Sequence, residues 1–280
     1  MIDILLQPFT YNYMLKAILV CMMVSSVCAF LSCYLMLKGW SLMGDALAHS
    51  VVPGVALSYV LALPYAMGAF FSGLLAALSM TVLKQKTKLR EDAVIGLVFT
   101  SFFAFGLLMI SIYPTSINVQ SVILGDVLSI SDYDIIQVLI ICVVCLVVLC
   151  LKWRDLVLIF FDESYAYSIA LKTHLLKLIF FTLLSAACVA ALQTVGACLV
   201  IAMVITPGAT AYLLTDRFGV LIILAISFGL ITSGFGAYLS FFLDLNPGGL
   251  IVAFQTLLFL LVFLFAPKYG FLKRRQVLDA

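Results

Sequence analysis

The sequence predicts an all-α integral membrane protein, a polytopic bundle of about eight or nine transmembrane helices formed by one domain over residues 1–280. Three observations carry that expectation. Of the 280 residues, 65% are hydrophobic and only 10% charged, with a mean hydropathy of +1.27; soluble domains are nearer a quarter charged and half apolar. The apolar residues fall in runs of the roughly 20-residue length that crosses a hydrocarbon core. In lipid a chain must satisfy its backbone internally, so these runs are read as helices. The net charge of +2, with no basic patch interleaved with aromatics, argues against a nucleic-acid partner.

Charges and Pro/Gly clusters divide the chain into nine runs, at about 14–37, 45–62, 66–83, 93–113, 133–151, 174–193, 196–214, 218–242 and 249–266. The first lacks a positive flank and is too long for a signal-peptide core, so it is expected to be a retained span. The sixth and seventh are parted only by Gln193-Thr194-Val195-Gly196, which leaves eight or ten spans open. Placing Lys38 in the cytoplasm and alternating puts 14 of the 15 basic residues on that side, with Lys16 the exception. The C-terminus is then cytoplasmic. Asp3, Asp126, Asp132, Asp134 and Asp244 fall at or near the outer face. There they either gather cations or cap helices.

The eight cysteines all lie in apolar runs and read as small packing residues, the Cys142/Cys145 pair included. Of the two histidines, His174 reads as a surface residue of the long cytoplasmic segment near 152–173. His49 does not. It lies in the second run, four residues after Asp45, a spacing that stacks both side chains on one helix face. Ionisable residues inside a span insert at a penalty of about 2.5–3.5 kcal/mol each and mark function by default. A carboxylate and an imidazole together suit Mn(II), Fe(II) or Zn(II) better than Ca(II) or Cu(I). The bland alternative is an Asp45 helix cap beside a packed histidine. Pro53 and Gly54 follow directly. They are expected to break the helix and free carbonyls toward an internal cavity. Glu91 and Asp92 read as first-turn acids complementing a helix dipole. Thr206-Pro207-Gly208 with Thr210 forms a kinked polar patch. Ser227, Gly229, Ser233, Gly234 and Gly236 give the eighth run a small-residue face, read as packing.

The stretch Gly44-Asp45-Ala46-Leu47-Ala48-His49-Ser50-Val51-Val52-Pro53-Gly54 resembles the signature of the manganese, zinc and iron ABC-transporter permeases, with Ala48 where that family often has Ser. Glu91–Gly96, Leu124-Gly125-Asp126-Val127-Leu128, Gln193–Gly196 and the Thr206–Ala209 kink are also similar to it. Phe161-Asp162-Glu163-Ser164-Tyr165-Ala166 resembles the family's coupling helix, which docks on an ATPase, with Ala170 where Gly is common.

The resemblance implies a fold shared broadly with cobalamin and siderophore importer permeases. It implies a multi-pass protein of the bacterial cytoplasmic membrane, working with a second permease copy, a cytoplasmic ATP-binding subunit and an extracytoplasmic metal-binding protein. Asp45 and His49 would contact the transported Mn, Fe or Zn ion, and no cofactor would be held permanently. The coupling residues would be Phe161, Asp162, Glu163, Tyr165, Ala166 and Ala170. The chain has no GxxxxGK[ST] loop, so ATP would be hydrolysed by the partner. The alternatives are a proton-coupled metal carrier using Asp45 and His49 as a relay, and an intramembrane metalloprotease, for which HExxH is missing.

Overall fold

The computed structural model describes residues 7–40, 42–112 and 131–266. Their long elements are all helical: α1 Asn12–Lys38, α2 Met43–Ser50, α3 Val52–Val60, α4 Tyr65–Lys86, α5 Glu91–Ile112, α6 Asp132–Phe161, α7 Glu163–Ser168, α8 Thr173–Val195, α9 Ala197–Tyr212, α10 Phe218–Leu243 and α11 Pro247–Phe265. Seven of them are long and apolar enough to cross a membrane. The short α9 and the α2–α3 pair account for the two remaining expected runs. Leu124–Leu128, Asp3, and the basic residues Lys268, Lys273, Arg274 and Arg275 lie outside the described residues.

Helix ends follow local chemistry. Gly39, in the left-handed conformation at φ 74°, closes α1 while Trp40 N–H reaches back to the Leu35 carbonyl at 2.8 Å. Ser131 caps α6 by accepting from Asp134 N–H, and Lys16 ties the start of α1 to Asp132 at 2.5 Å. Asp132 and Asp134 therefore work as cap and clasp. Gly196, at φ 83° and ψ 164°, turns α8 sharply into α9, so the Gln193–Gly196 divider separates two elements.

The bundle is organised around α1. Of its most apolar stretch, 78% is buried, against 17–33% for α4, α5, α6, α10 and α11. It packs chiefly on α10, α9 and α6. Small residues make this possible. A Cβ on Gly229 would press on Ser25 and Ala29 of α1, and one on Gly236 would meet Ile251 of α11. The small-residue face of the eighth run is thus a packing face. Ser32 of α1 bridges the Pro207 kink, donating to the Ile205 carbonyl at 3.0 Å and accepting from Gly208 N–H at 3.1 Å. One end of the bundle, where α6 runs into α7, is filled by an aromatic cluster. Tyr34 is fully buried, gives its hydroxyl to the Trp153 carbonyl at 3.2 Å, and packs on Phe30, Phe160, Phe180 and Phe218.

The second run is divided at Val51, two residues before Pro53. The Ser50 carbonyl accepts the Ser72 hydroxyl of α4 at 2.7 Å. It therefore points into the packing between α2 and α4. The helices approach closely here. A Cβ on Gly54 would overlap the backbone of Gly68 in α4, and one on Gly106 of α5 would lie 2.9 Å from Pro53 nitrogen.

Candidate functional site

Helix α2 is short and almost wholly buried. It packs on α4, α5, α8 and α9, and Gly44 permits the contact with Val204 of α9. Within Met43–Ser50 only Asp45 and His49 are not buried, and their side chains are 35% and 32% exposed. His49 Nε2 lies 3.3 Å from Asp45 Oδ1, the i,i+4 contact expected from the spacing. The N-cap of α2 is Leu42, so Asp45 stands inside the helix as a first-turn residue and does not cap it. Helices α2 and α3 together run from Met43 to Val60, and the pair lies on the α2 half of that stretch, among helices long and apolar enough to cross a membrane.

Sequence reasoning missed what holds His49. The rings of Phe99 and Phe103, one turn apart on α5 and stacked on each other, pack together against one side of the imidazole, with centroids 5.5 Å away and tilts of 54° and 72°. Phenylalanine in an apolar run carries no signal of its partner. The pair remains a partly exposed edge of one acid and one imidazole. Such an edge can take a cation from a water-lined route or from a second protein surface. It gives a metal only two donors, and no group of three or more His, Cys, Asp or Glu poised for a metal occurs among the described residues.

Glu91 is more than a dipole complement. It accepts from the Trp40 indole N–H and pairs with Lys84, tying the ends of α1, α4 and α5 together. His174 is exposed, in keeping with a surface role. Cys142 and Cys145 are buried and free, while Cys150 is exposed. Of the later polar patch, Thr210 donates to its own helix at the Thr206 carbonyl, beside the kink that Ser32 braces.

The segment after α6 forms the short helix α7. Asp162 caps it, accepting from Tyr165 N–H at 2.9 Å. Glu163 meets Lys177 of α8 at 2.5 Å, and Ala166 is buried completely. Ala170 closes the turn at φ +59°, a left-handed backbone that favours glycine. That explains why glycine suits this position. The outward side carries aromatics: Phe161 is 78% exposed, Tyr165 55% and Tyr167 76%. Tyr167 was not among the expected coupling residues, though its aromatic neighbours were a signal. Bare aromatics on and beside a short, pinned helix suit docking on another protein.

The ABC 3 transport family model matches residues 10–266. The chain is 66% identical over 275 residues to the chelated iron transport system membrane protein YfeC of Yersinia pestis, covering 98% of this chain and 94% of that one. It is 45% identical to the manganese transport system membrane protein MntB of Synechocystis sp., covering 96% and 88%. Its fold is similar to that of PsaBC from Streptococcus pneumoniae in complex with Fab, with a TM-score of 0.86, 32% identity, and 98% and 100% of the two chains covered. An inward-facing metal-chelate type ABC transporter shares the fold at a TM-score of 0.60 and 16% identity, covering 94% and 99%. Among the described residues the helices pack about a central first helix, and a family match that spans α1 through α11 leads to one conclusion: the chain belongs to the ABC 3 transport family.

Proposed function

We propose that this chain is the membrane-spanning permease subunit of an ATP-driven importer of divalent transition-metal ions, with iron and manganese as cargo. Its relatives are named for iron and manganese transport. Zinc shares the donor chemistry but has no such support. The observation that carries the reading is the open edge of α2: a carboxylate and an imidazole 3.3 Å apart, on a helix otherwise buried among long apolar helices. Facing lipid, that edge would be a standing penalty. Facing a route for cations, it is a ligand pair.

Two donors are fewer than these metals usually take. A second permease copy with the same pair would complete four ligands on a shared axis. Binding must stay weak enough for release. The exposed aromatics of α7 then dock on a cytoplasmic ATP-binding subunit, and an extracytoplasmic binding protein delivers the ion to the outer face of the cytoplasmic membrane. Lys177 and the buried Ala166 hold α7 to the bundle, so its displacement reaches the spans.

The test is uptake of radiolabelled manganese and iron in cells expressing Asp45→Ala or His49→Ala at normal levels. Loss of one ligand of a completed site is expected to lower uptake at least tenfold. Unchanged uptake removes the ligand assignment. Reconstituted vesicles separate the mechanisms: metal should enter only with the ATP-binding subunit and ATP present, and uptake driven by a proton gradient alone would make the protein a carrier.

A further inference from the structure

Two adjoining cavities lie at the cytoplasmic ends of α4 and α8, away from the Asp45/His49 edge. The first, of about 130 Å³, is lined by Lys38, Lys84 and Lys177 over a floor of apolar side chains. The second, of about 340 Å³, is a groove between Leu78 and Val82 of α4 and His174, Leu175 and Leu178 of α8. Thr81, Lys177 and Phe181 line both, so the two form one continuous depression.

Its chemistry is graded along its length. At one end stand three ammonium groups against two carboxylates, Glu91 and Glu163. Those carboxylates pair with Lys84 and Lys177. The Lys38 ammonium is left with a long 3.5 Å contact to the Phe160 carbonyl. The other end is walled by Leu78, Val82, Leu175 and Leu178, which are 37–52% exposed on membrane-spanning helices.

We propose that this groove seats an anionic phospholipid of the cytoplasmic leaflet, its phosphate among Lys38, Lys84 and Lys177 and an acyl chain between α4 and α8. Basic pockets between transmembrane helices on the cytoplasmic side recognise such headgroups. The charge gradient fits an amphipathic ligand better than the alternatives. A soluble anion would leave the apolar groove empty. On α4 the lining runs from Lys84 to Leu78, about 9 Å farther into the span, a reach that suits an acyl chain better than a docked subunit. A headgroup at Lys177 competes with Glu163, the ion pair that pins α7. Lipid occupancy therefore loosens the coupling helix; this last step alone rests on the function proposed above.

The full chain, purified in detergent, is examined by native mass spectrometry with phosphatidylglycerol, with phosphatidylcholine of the same acyl chains, and with glycerol 3-phosphate. Phosphatidylglycerol should be retained in preference to phosphatidylcholine, and glycerol 3-phosphate should not bind measurably. Lys38→Gln and Lys177→Gln should each weaken phosphatidylglycerol binding about fivefold, the worth of one surface lysine. Leu78→Trp fills the groove without touching charge and should displace both lipids; because Leu78 is already exposed, this variant is expected to fold. Equal retention of the two lipids overturns the proposal, as does glycerol 3-phosphate binding as well as the lipid. So does cross-linking of a Leu178→Cys variant to a second copy or to the ATP-binding subunit with lipid excluded. The readout is binding, so it stands whether or not the chain carries metal.

Discussion

His49 shows how a polar residue is made usable inside an apolar bundle. Asp45 Oδ1 meets the ring's Nε2 at 3.3 Å, and Phe99 and Phe103, stacked on each other, pack together against the ring. Removing either phenylalanine leaves the donor atom in place but frees its orientation. Phe99→Ala and Phe103→Ala are expected to raise the metal concentration for half-maximal uptake several-fold, with Tyr at either position restoring it. Equal uptake curves for the Ala variants would show that the rings only pack. Asp45 and His49 were legible because two ionisable groups stood out in a hydrophobic run. The phenylalanines were invisible for the opposite reason. Ala170 gives a second test at this scale. Its left-handed backbone costs an L-residue about 1–2 kcal/mol, and a β-branched side chain more. Ala170→Gly should fold at least as well as the parent, and Ala170→Val should lower the melting temperature.

Between helices, the narrowest point is where α3 crosses α4. Gly54 and Gly68 meet backbone to backbone, with no gap into which a methyl group could relax. Gly54→Ala is therefore expected to destabilise by about 1–3 kcal/mol, the range for overpacking, read as a lowered denaturation midpoint in detergent. Gln255 of α11 poses the reverse case. It is 2% exposed, and neither atom of its amide has a partner among the described residues. Leaving a buried polar group unpaired costs about 1–3 kcal/mol, so Gln255→Leu should raise stability by a similar amount. A fall in stability would mean that the amide is satisfied in the membrane by water or by another subunit. Which segments are helical was plain from run length and from charges between runs. Which helix is central was not: α6 is the more apolar of the two, yet α1 is buried and α6 largely faces outward. Hydropathy measures affinity for a nonpolar medium, and protein interior and lipid are alike in that respect. The size of side chains at facing positions decides, and that appears only when helices are paired. The break at Val51 was legible from Pro53, whereas the destination of the Ser50 carbonyl depended on Ser72 of another helix.

At the scale of the whole molecule, the proposed function makes the protomer the holder of half a metal site and one half of a coupling contact. Its Asp45/His49 edge is partly exposed and the aromatic side chains of Phe161, Tyr165 and Tyr167 are bare, as that reading requires. Replacing Phe161, Tyr165 and Tyr167 together by Ser is expected to abolish ATP-dependent uptake while the purified protein keeps its melting temperature, since these side chains are already exposed. Retained uptake would place the docking surface elsewhere.

The aromatic cluster about Tyr34 has a mechanical consequence. It joins α1, α6, α8 and α10 into one stiff block, since packed interiors transmit displacement and do not absorb it. On the proposed function, a push on α7 is carried by that block to the spans as a unit. Amide hydrogens around Tyr34 should accordingly exchange far more slowly with heavy water than those of the exposed α7.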